Sequence, residues 1–269
     1  VVDLKKEMHN QKRLPILSRT LKEGIAKTIE SGHQSILFIN RRGFSTYLFC
    51  KKCGFVFKCK DCEIAYVYHS QVRKLECHYC GQKRVFPQTC PSCKASEISF
   101  RGFGTERIES ELSRFFPEAR IVRMDSDVTR KRGAHERILN AFKNHEIDIL
   151  VGTQMIAKGL DYPNVTLVGV VSADITLNIP DFRSSERTFS LITQVAGRAG
   201  RGSSTGRVFV QTYTPNHYAI TYAKKHDYAS FYEHEIALRR ELEYPPFSHF
   251  VLIFARGRNR RNVFDYLAT

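Results

Sequence analysis

Eight cysteines fall between Cys50 and Cys93, and none falls elsewhere in the 269 residues. They form Cys-x-x-Cys pairs at Cys50/Cys53, Cys59/Cys62, Cys77/Cys80 and Cys90/Cys93. Two intervening residues let a tight knuckle aim both sulfurs at one tetrahedral ion at about 2.3 Å, and two pairs complete a four-thiolate site. The expected chemistry is therefore structural, with two zinc ions; disulfides and iron–sulfur clusters fit the spacing less well. Between Cys62 and Cys77, the run Ile64-Ala65-Tyr66-Val67-Tyr68, then Ser70-Gln71, then Val72 to Glu76 reads as a hairpin. A hairpin brings the inner pairs together. The nested arrangement is accordingly preferred to a sequential one: Cys59, Cys62, Cys77 and Cys80 around one zinc, and Cys50, Cys53, Cys90 and Cys93 around the other. His69 and His78 are left for surface or packing roles. A block this short buries too little apolar surface to fold alone, and ligation supplies on the order of 10 kcal/mol per site. Phe55, Phe57, Tyr66, Tyr68 and Tyr79 have two uses, a small core or a stacking platform for nucleobases. The core is expected for most of them.

A second group is Gln194-Val195-Ala196-Gly197-Arg198-Ala199-Gly200-Arg201. Gln194 and Arg198 are four apart, and Arg201 is three further on, which puts all three on one helical face or its immediate end. Helix-interior glycines cost about 1 kcal/mol each, so Gly197 and Gly200 suggest a packing or functional demand. Paired guanidiniums there can clamp a phosphoryl group across a cleft; the duller reading is a solvated basic helix or one that grips DNA phosphates. Gly152-Thr153-Gln154-Met155-Ile156-Ala157-Lys158-Gly159 follows an apolar strand, where α/β sheets bind ligands; by itself it is an ordinary strand-to-helix turn.

The elements that must position these residues follow an α/β rhythm. Leu17, Leu21, Ile25 and Ile29 mark a helix over 17–31 that stops at Gly32. Strands are expected at 35–40, 120–124, 147–151, 165–171 and 207–212, with helices at 106–116, 131–143 and 184–199. A long helix is expected from Pro215 to about Arg240. Alternation of this kind implies a parallel sheet covered on both faces. The cysteine block interrupts it, so the expected organisation is a lobe at 1–49 and 94–243, an insertion at 50–93, and a further domain starting at 244–269. The rhythm breaks at Glu243-Tyr244-Pro245-Pro246-Phe247, and a strand is expected from His249 to Ala255.

Lys and Arg number 42 against 27 acids, giving a formal net charge of +15 spread along the chain. Such a balance favours a polyanion partner, nucleic acid above all. No run of about 18 apolar residues exists, which argues against a membrane helix. The opening Val1-Val2-Asp3-Leu4-Lys5-Lys6 has no initiator Met and no charged-then-apolar leader, and reads as an internal start. No Gly-x-x-x-x-Gly-Lys-Ser/Thr loop occurs, nor an Asp-Glu-x-His magnesium-holding run. The chain is therefore not expected to hydrolyse ATP alone.

Taken together, these runs resemble the bacterial primosomal helicases, a branch of superfamily 2 DNA helicases. Phe38-Ile39-Asn40-Arg41-Arg42-Gly43-Phe44 is similar to the fourth helicase motif, Gly152 to Gly159 with Asp161 to the fifth, and Gln194 to Arg201 to the sixth. Gly102-Phe103-Gly104-Thr105-Glu106-Arg107, Pro180-Asp181-Phe182-Arg183 and the inserted cysteine pairs also match. The resemblance implies the second, RecA-like lobe of an ATP-driven 3′→5′ helicase that restarts stalled replication forks, interrupted by a β-rich two-zinc insertion and followed by the start of an α+β domain. It also implies nested zinc pairing, and ATP with magnesium in the full-length enzyme. By motif match, Arg198 and Arg201 face the ATP phosphates held by the first lobe. Gln194 and Asp161, beside Gly159, couple nucleotide state to lobe closure. Thr153, Arg41, Arg42 and Lys158 contact DNA. Forked and single-stranded DNA, other primosome proteins and single-stranded-DNA-binding proteins are the implied partners, in the bacterial cytoplasm with the nucleoid and with no membrane. Two readings compete with this one: a self-sufficient zinc nucleic-acid-binding module, and a thiol–disulfide redox protein.

Overall fold

The computed structural model describes residues 1–11, 16–39, 47–69, 74–101, 105–125, 133–153, 162–197, 205–251, 263 and 265–267. Its larger sheet has six strands: β1 (Val2–Asp3), β2 (Gln34–Phe38), β8 (Ile121–Met124), β9 (Ile149–Gly152), β10 (Val165–Val170) and β11 (Arg207–Thr212). Their order is β1-β11-β10-β2-β9-β8, and every pairing is parallel. Successive strand residues point to opposite faces, and here both faces are buried. Ile36, Phe38, Leu150, Val168 and Val170 enter one core with Phe142, Phe189, Ile192, Val195 and Phe231. Leu37, Ile39, Ile149, Val151 and Leu167 enter the other with Leu21, Ile25, Ile108 and Leu112. This is why the strands read as continuous apolar runs rather than alternating ones.

Helix α2 (Arg19–Glu30) starts where the Ser18 hydroxyl accepts from Leu21 N–H, and covers the second face. It lies so close that a Cβ at Gly24 would stand 2.9 Å from the Phe209 ring. Helix α3 (Thr105–Phe115) shares that face through Ile108 and Leu112. Helices α4 (Ala134–Lys143), α6 (Ser184–Ala196), α7 (Tyr218–Lys225) and α8 (Tyr228–Glu241) cover the other. Buried Gln211 ties the N-terminal approach to the strand ends. Its amide donates to Val171 O at 2.7 Å and Ile16 O at 2.8 Å, and its oxygen accepts from Ser18 N–H at 2.7 Å.

The expected helix from Pro215 to Arg240 is two helices. His226 adopts φ 56°, and the Asp227 carboxylate caps the second helix by accepting from Ser230 N–H at 3.0 Å. A left-handed residue followed by an Asp cap stops one helix and starts the next. Pro215 opens neither helix; the first is capped by His217. Helix α6 ends at Ala196 with Gly197 as its C-cap, so Gly197 terminates the helix rather than interrupting its interior. Of the strand expected at 249–255, residues 249–251 are not extended into a sheet, and 252–255 lie outside the described residues. Helix α1 (Leu4–Gln11), the short helix α5 (Ala173–Leu177) and β1 were not anticipated.

The second sheet is antiparallel, with order β6-β5-β4-β3-β7. Its strands are β3 (Tyr47–Cys50), β4 (Val67–His69), β5 (Lys74–Glu76), β6 (Lys83–Val85) and β7 (Ile98–Arg101). Strands β4 and β5 form the expected hairpin, with Tyr68 opposite Leu75. The sheet begins before Cys50 and ends after Cys93 because β3 and β7 pair to make its stem. Among the described residues, no helix is long and apolar enough to cross a membrane.

Candidate metal centres and motor edge

Each cysteine pair sits in the same backbone knuckle. Cys50 N–H donates to Phe55 O at 2.8 Å, and Gly54 N–H returns to Cys50 O at 2.9 Å. The same reciprocal bonds join Cys59 with Ile64 and Glu63, Cys77 with Gln82 and Gly81, and Cys90 with Ala95 and Lys94. Every knuckle therefore needs a left-handed residue just after its second cysteine. Gly54 (φ 73°) and Gly81 (φ 72°) take that conformation freely, whereas Glu63 (φ 52°) and Lys94 (φ 62°) do so at a cost of about 1–2 kcal/mol each. This requirement was not read from the sequence; glycine at the first and third knuckles was its visible trace.

The knuckles meet in the nested arrangement. Cys50, Cys53, Cys90 and Cys93 form one quartet, and Cys59, Cys62, Cys77 and Cys80 the other, with all sulfurs of a quartet within 4.8 Å of one another. Cys50–Cys93, Cys53–Cys90 and Cys59–Cys80 sulfur pairs are 3.6 Å apart. Four ligands at 2.3 Å in a tetrahedron lie about 3.8 Å apart, whereas a disulfide requires about 2.05 Å. The donor sets therefore fit zinc binding and exclude disulfides in this state; neither quartet includes a histidine.

Burial pushes the Cys53 thiol up to about 12, while the Ala95 backbone N–H brings Cys93 down to about 7. A divalent cation reverses the effect of burial, because its charge favours thiolate at every position. Tyr66, Cys59, Cys77, Leu48, Ile64 and Leu75 form the module's core. Phe57, Tyr68 and Tyr79 pack against it, and Phe55 stays exposed. Most of the aromatics thus serve the small core, as expected.

The module rests on the lobe through a seam that sequence reasoning did not find. Phe182 N–H donates to the Tyr79 hydroxyl at 3.0 Å, and the Tyr244 hydroxyl donates to Cys62 O at 2.9 Å. The Phe182 and Tyr244 rings stack at 5.2 Å, and Arg239 lies 5.0 Å over Phe182. At the other quartet, a Cβ on Gly54 would stand 3.2 Å from the Tyr213 side chain. Tyr213 is itself positioned by buried Asp174, whose carboxylate accepts from Tyr213 N–H at 3.0 Å and from the Thr212 and Thr214 hydroxyls at 3.1 Å. The signal for this latch was an acid four residues past the apolar run of β10. Between module and lobe lies a cavity of about 270 Å³ lined by Lys58, His217, Tyr218 and Tyr244. Burial there, with the charges of Lys58 and His234, lowers the His217 pKa to about 4.

At the carboxyl edge of the parallel sheet, Thr153 follows β9 and is half-buried. Gln194 is exposed in the last turn of α6, beside a groove of about 720 Å³ between α6 and α8 that includes Phe189, Tyr228 and Tyr232. Arg41, Arg42, Lys158, Gly159, Asp161, Arg198 and Arg201 lie outside the described residues.

Residues 90–203 match the helicase conserved C-terminal domain, and residues 59–84 match the Cys-rich region domain of PriA DNA helicase. Fold and site thus define a helicase C-terminal lobe carrying a zinc-ribbon insertion. Replication restart protein PriA of Bacillus subtilis is 52% identical over 94% of this chain, and that of Synechocystis is 43% identical over 98%. The chain belongs to the PriA family. It spans about a third of the length of these relatives, covering 31% and 32% of them. Among solved structures, Saccharomyces cerevisiae Dbp5 bound to RNA and ADP BeF3 aligns with 83% of this chain and 42% of its own, at 12% identity and a TM-score of 0.39.

Proposed function

We propose that this chain is the second motor lobe of an ATP-dependent 3′→5′ DNA helicase that restarts stalled replication forks and loads the primosome in the bacterial cytoplasm. In this reading, residues 1–49 and 94–243 are the lobe, 50–93 a two-zinc insertion, and 244–269 the start of a further domain. The carrying observation is the end of α6, where exposed Gln194 leads through the Gly197 cap directly into Arg198 and Arg201. Helix α6 stops at Gly197, and Arg198 and Arg201 follow it in sequence, one and four residues past the cap of the element that carries Gln194.

Arg198 and Arg201 are assigned to the charge that develops on the transferred phosphoryl group. Such groups act electrostatically, with no covalent step of their own. Gln194, Asp161 and Gly159 sense nucleotide state. Thr153, Arg41, Arg42 and Lys158 hold the DNA strand. ATP and magnesium belong to the partner lobe, and zinc occupies both cysteine quartets, where it supplies cross-linking rather than catalysis. Forked and single-stranded DNA, primosome proteins and single-stranded-DNA-binding proteins are the partners. The test is Arg198→Ala in the full-length protein. DNA-stimulated ATP hydrolysis is expected to fall about 10³-fold, with zinc content and DNA affinity retained. An unchanged rate would remove the role.

A further inference from the structure

Within the module lies a solvent-open cleft of about 540 Å³, lined among the described residues by none of the lobe. Phe55, Phe57, Tyr66 and Val85 wall it, and Lys60 and Arg84 are exposed at its rim. A small core is expected to hide its large apolar groups, yet Phe55 is 36% exposed and Val85 77%. Phe55 and Phe57 stand edge to face, with ring centres 5.3 Å apart. Tyr66 is fixed by its hydroxyl bond to Gln82, and the Arg84 guanidinium lies 6.0 Å over its ring.

Both walls are held at the knuckles: Cys50 N–H holds Phe55 O at 2.8 Å within the first, and Tyr66 N–H holds Phe57 O at 3.0 Å on the strand pair that leads into and out of the second. The aromatic surfaces are thus preorganised by the two quartets, which limits the ordering cost of binding. Among the described residues, Glu63 is the one acid in the lining, against Lys58, Lys60 and Arg84. Aromatic faces with a cationic rim match a base attached to a phosphate. The volume suits one nucleotide rather than a duplex, whose bases are already stacked inside.

We propose that this cleft binds an unpaired base of single-stranded DNA, stacked on Phe55 with its flanking phosphates at Lys60 and Arg84. The inference rests on the reading of this chain as a DNA motor but uses a surface separate from Gln194 and the arginines after it.

The experiment measures binding of the zinc-loaded chain to fluorescein-labelled oligothymidylate, to the same strand with abasic sites, and to duplex. Fluorescence anisotropy is read over a salt series. Phe55→Ala is expected to weaken binding of the base-bearing strand about tenfold and to leave abasic and duplex affinities unchanged. Arg84→Ala is expected to reduce the salt slope by about 1. A 2-aminopurine placed in the strand should lose fluorescence on binding wild type and keep it with Phe55→Ala. Metal analysis checks that the variants keep both quartets filled; if Phe55→Ala does not, Val85→Glu, an acid on an exposed wall, decides with an expected loss of at least about tenfold. Wild-type affinity in the folded variants, equal binding of abasic and base-bearing strands, or displacement of the strand by an acidic peptide that binds more tightly would each overturn the proposal. Base-dependent binding that survives Arg198→Ala, whatever becomes of ATP hydrolysis, keeps this inference separate from the motor role.

Discussion

The parallel sheet and the cysteine module solve the same stability problem with different materials. The sheet buries both faces against helices, and its cores are almost wholly apolar: Phe38, Leu150, Val168 and Phe142 on one side, Leu37, Ile149, Leu21 and Leu112 on the other. The module's main core holds six buried residues, two of which are cysteines. Its strands are three or four residues long. What substitutes for apolar burial is a knuckle used at every cysteine pair, converging on two four-sulfur sites. A metal-held unit does not need a long sequence pattern, which is why it can be inserted into a lobe without disturbing the lobe's own rhythm.

The largest expected effect breaks the comparison outright. Stripping zinc with a strong chelator should unfold the module, because each site supplies on the order of 10 kcal/mol. The parallel sheet should remain. Protection from amide exchange is expected to be lost over β4, β5 and β6 and retained over β2, β9 and β10. Collapse of both regions together would show that the lobe depends on the metal as well.

Next comes the seam. His217 is half-buried and neutral, with burial and the nearby Lys58 charge lowering its pKa to about 4 from an ordinary 6.5. Between those values the unfolded chain binds a proton that the folded chain refuses. Folded stability should therefore fall by roughly 3 kcal/mol as pH drops from about 6.5 to 4, with no further loss from this group below that. His217→Asn keeps a cap for α7 and should flatten that part of the pH profile in urea melts, at constant zinc content. An unaltered profile would assign the acid sensitivity to other groups.

The smallest effect sharpens the comparison. Phe182→Ala removes the ring stacked on Tyr244 and under Arg239. A loss of about 1–2 kcal/mol is expected from this partly exposed aromatic cluster. Exchange should quicken at Tyr79 to Gln82 while metal content stays at two ions. Loss of metal would mean that the seam holds the inner quartet together rather than only seating it.

Much of this was legible. Helix α2 was marked by Leu21 and Ile25 at a four-residue spacing, and those side chains are buried on the sheet. The cysteine spacing, with turn-forming Ser70-Gln71 between alternating runs, pointed to the nested quartets that the structure forms. The break at His226 was not legible, because a basic residue in αL has no sequence signature of its own. The seam was also hidden. Pro180-Asp181-Phe182-Arg183 was visible as a run, but nothing in its composition says that Phe182 meets Tyr79, 103 residues earlier.

The sequence by itself determined the periodic elements, the metal chemistry and the charge, because these depend on residue type and on spacings of a few residues. The tertiary structure decided how the pieces meet: Asp174 holding the turn after β11, Tyr213 against the Gly54 knuckle, and an aromatic cleft left open between two metal-pinned walls. Contacts between distant segments follow from the direction in which each side chain leaves a folded backbone, and a linear pattern does not encode that direction beyond its own helix or strand.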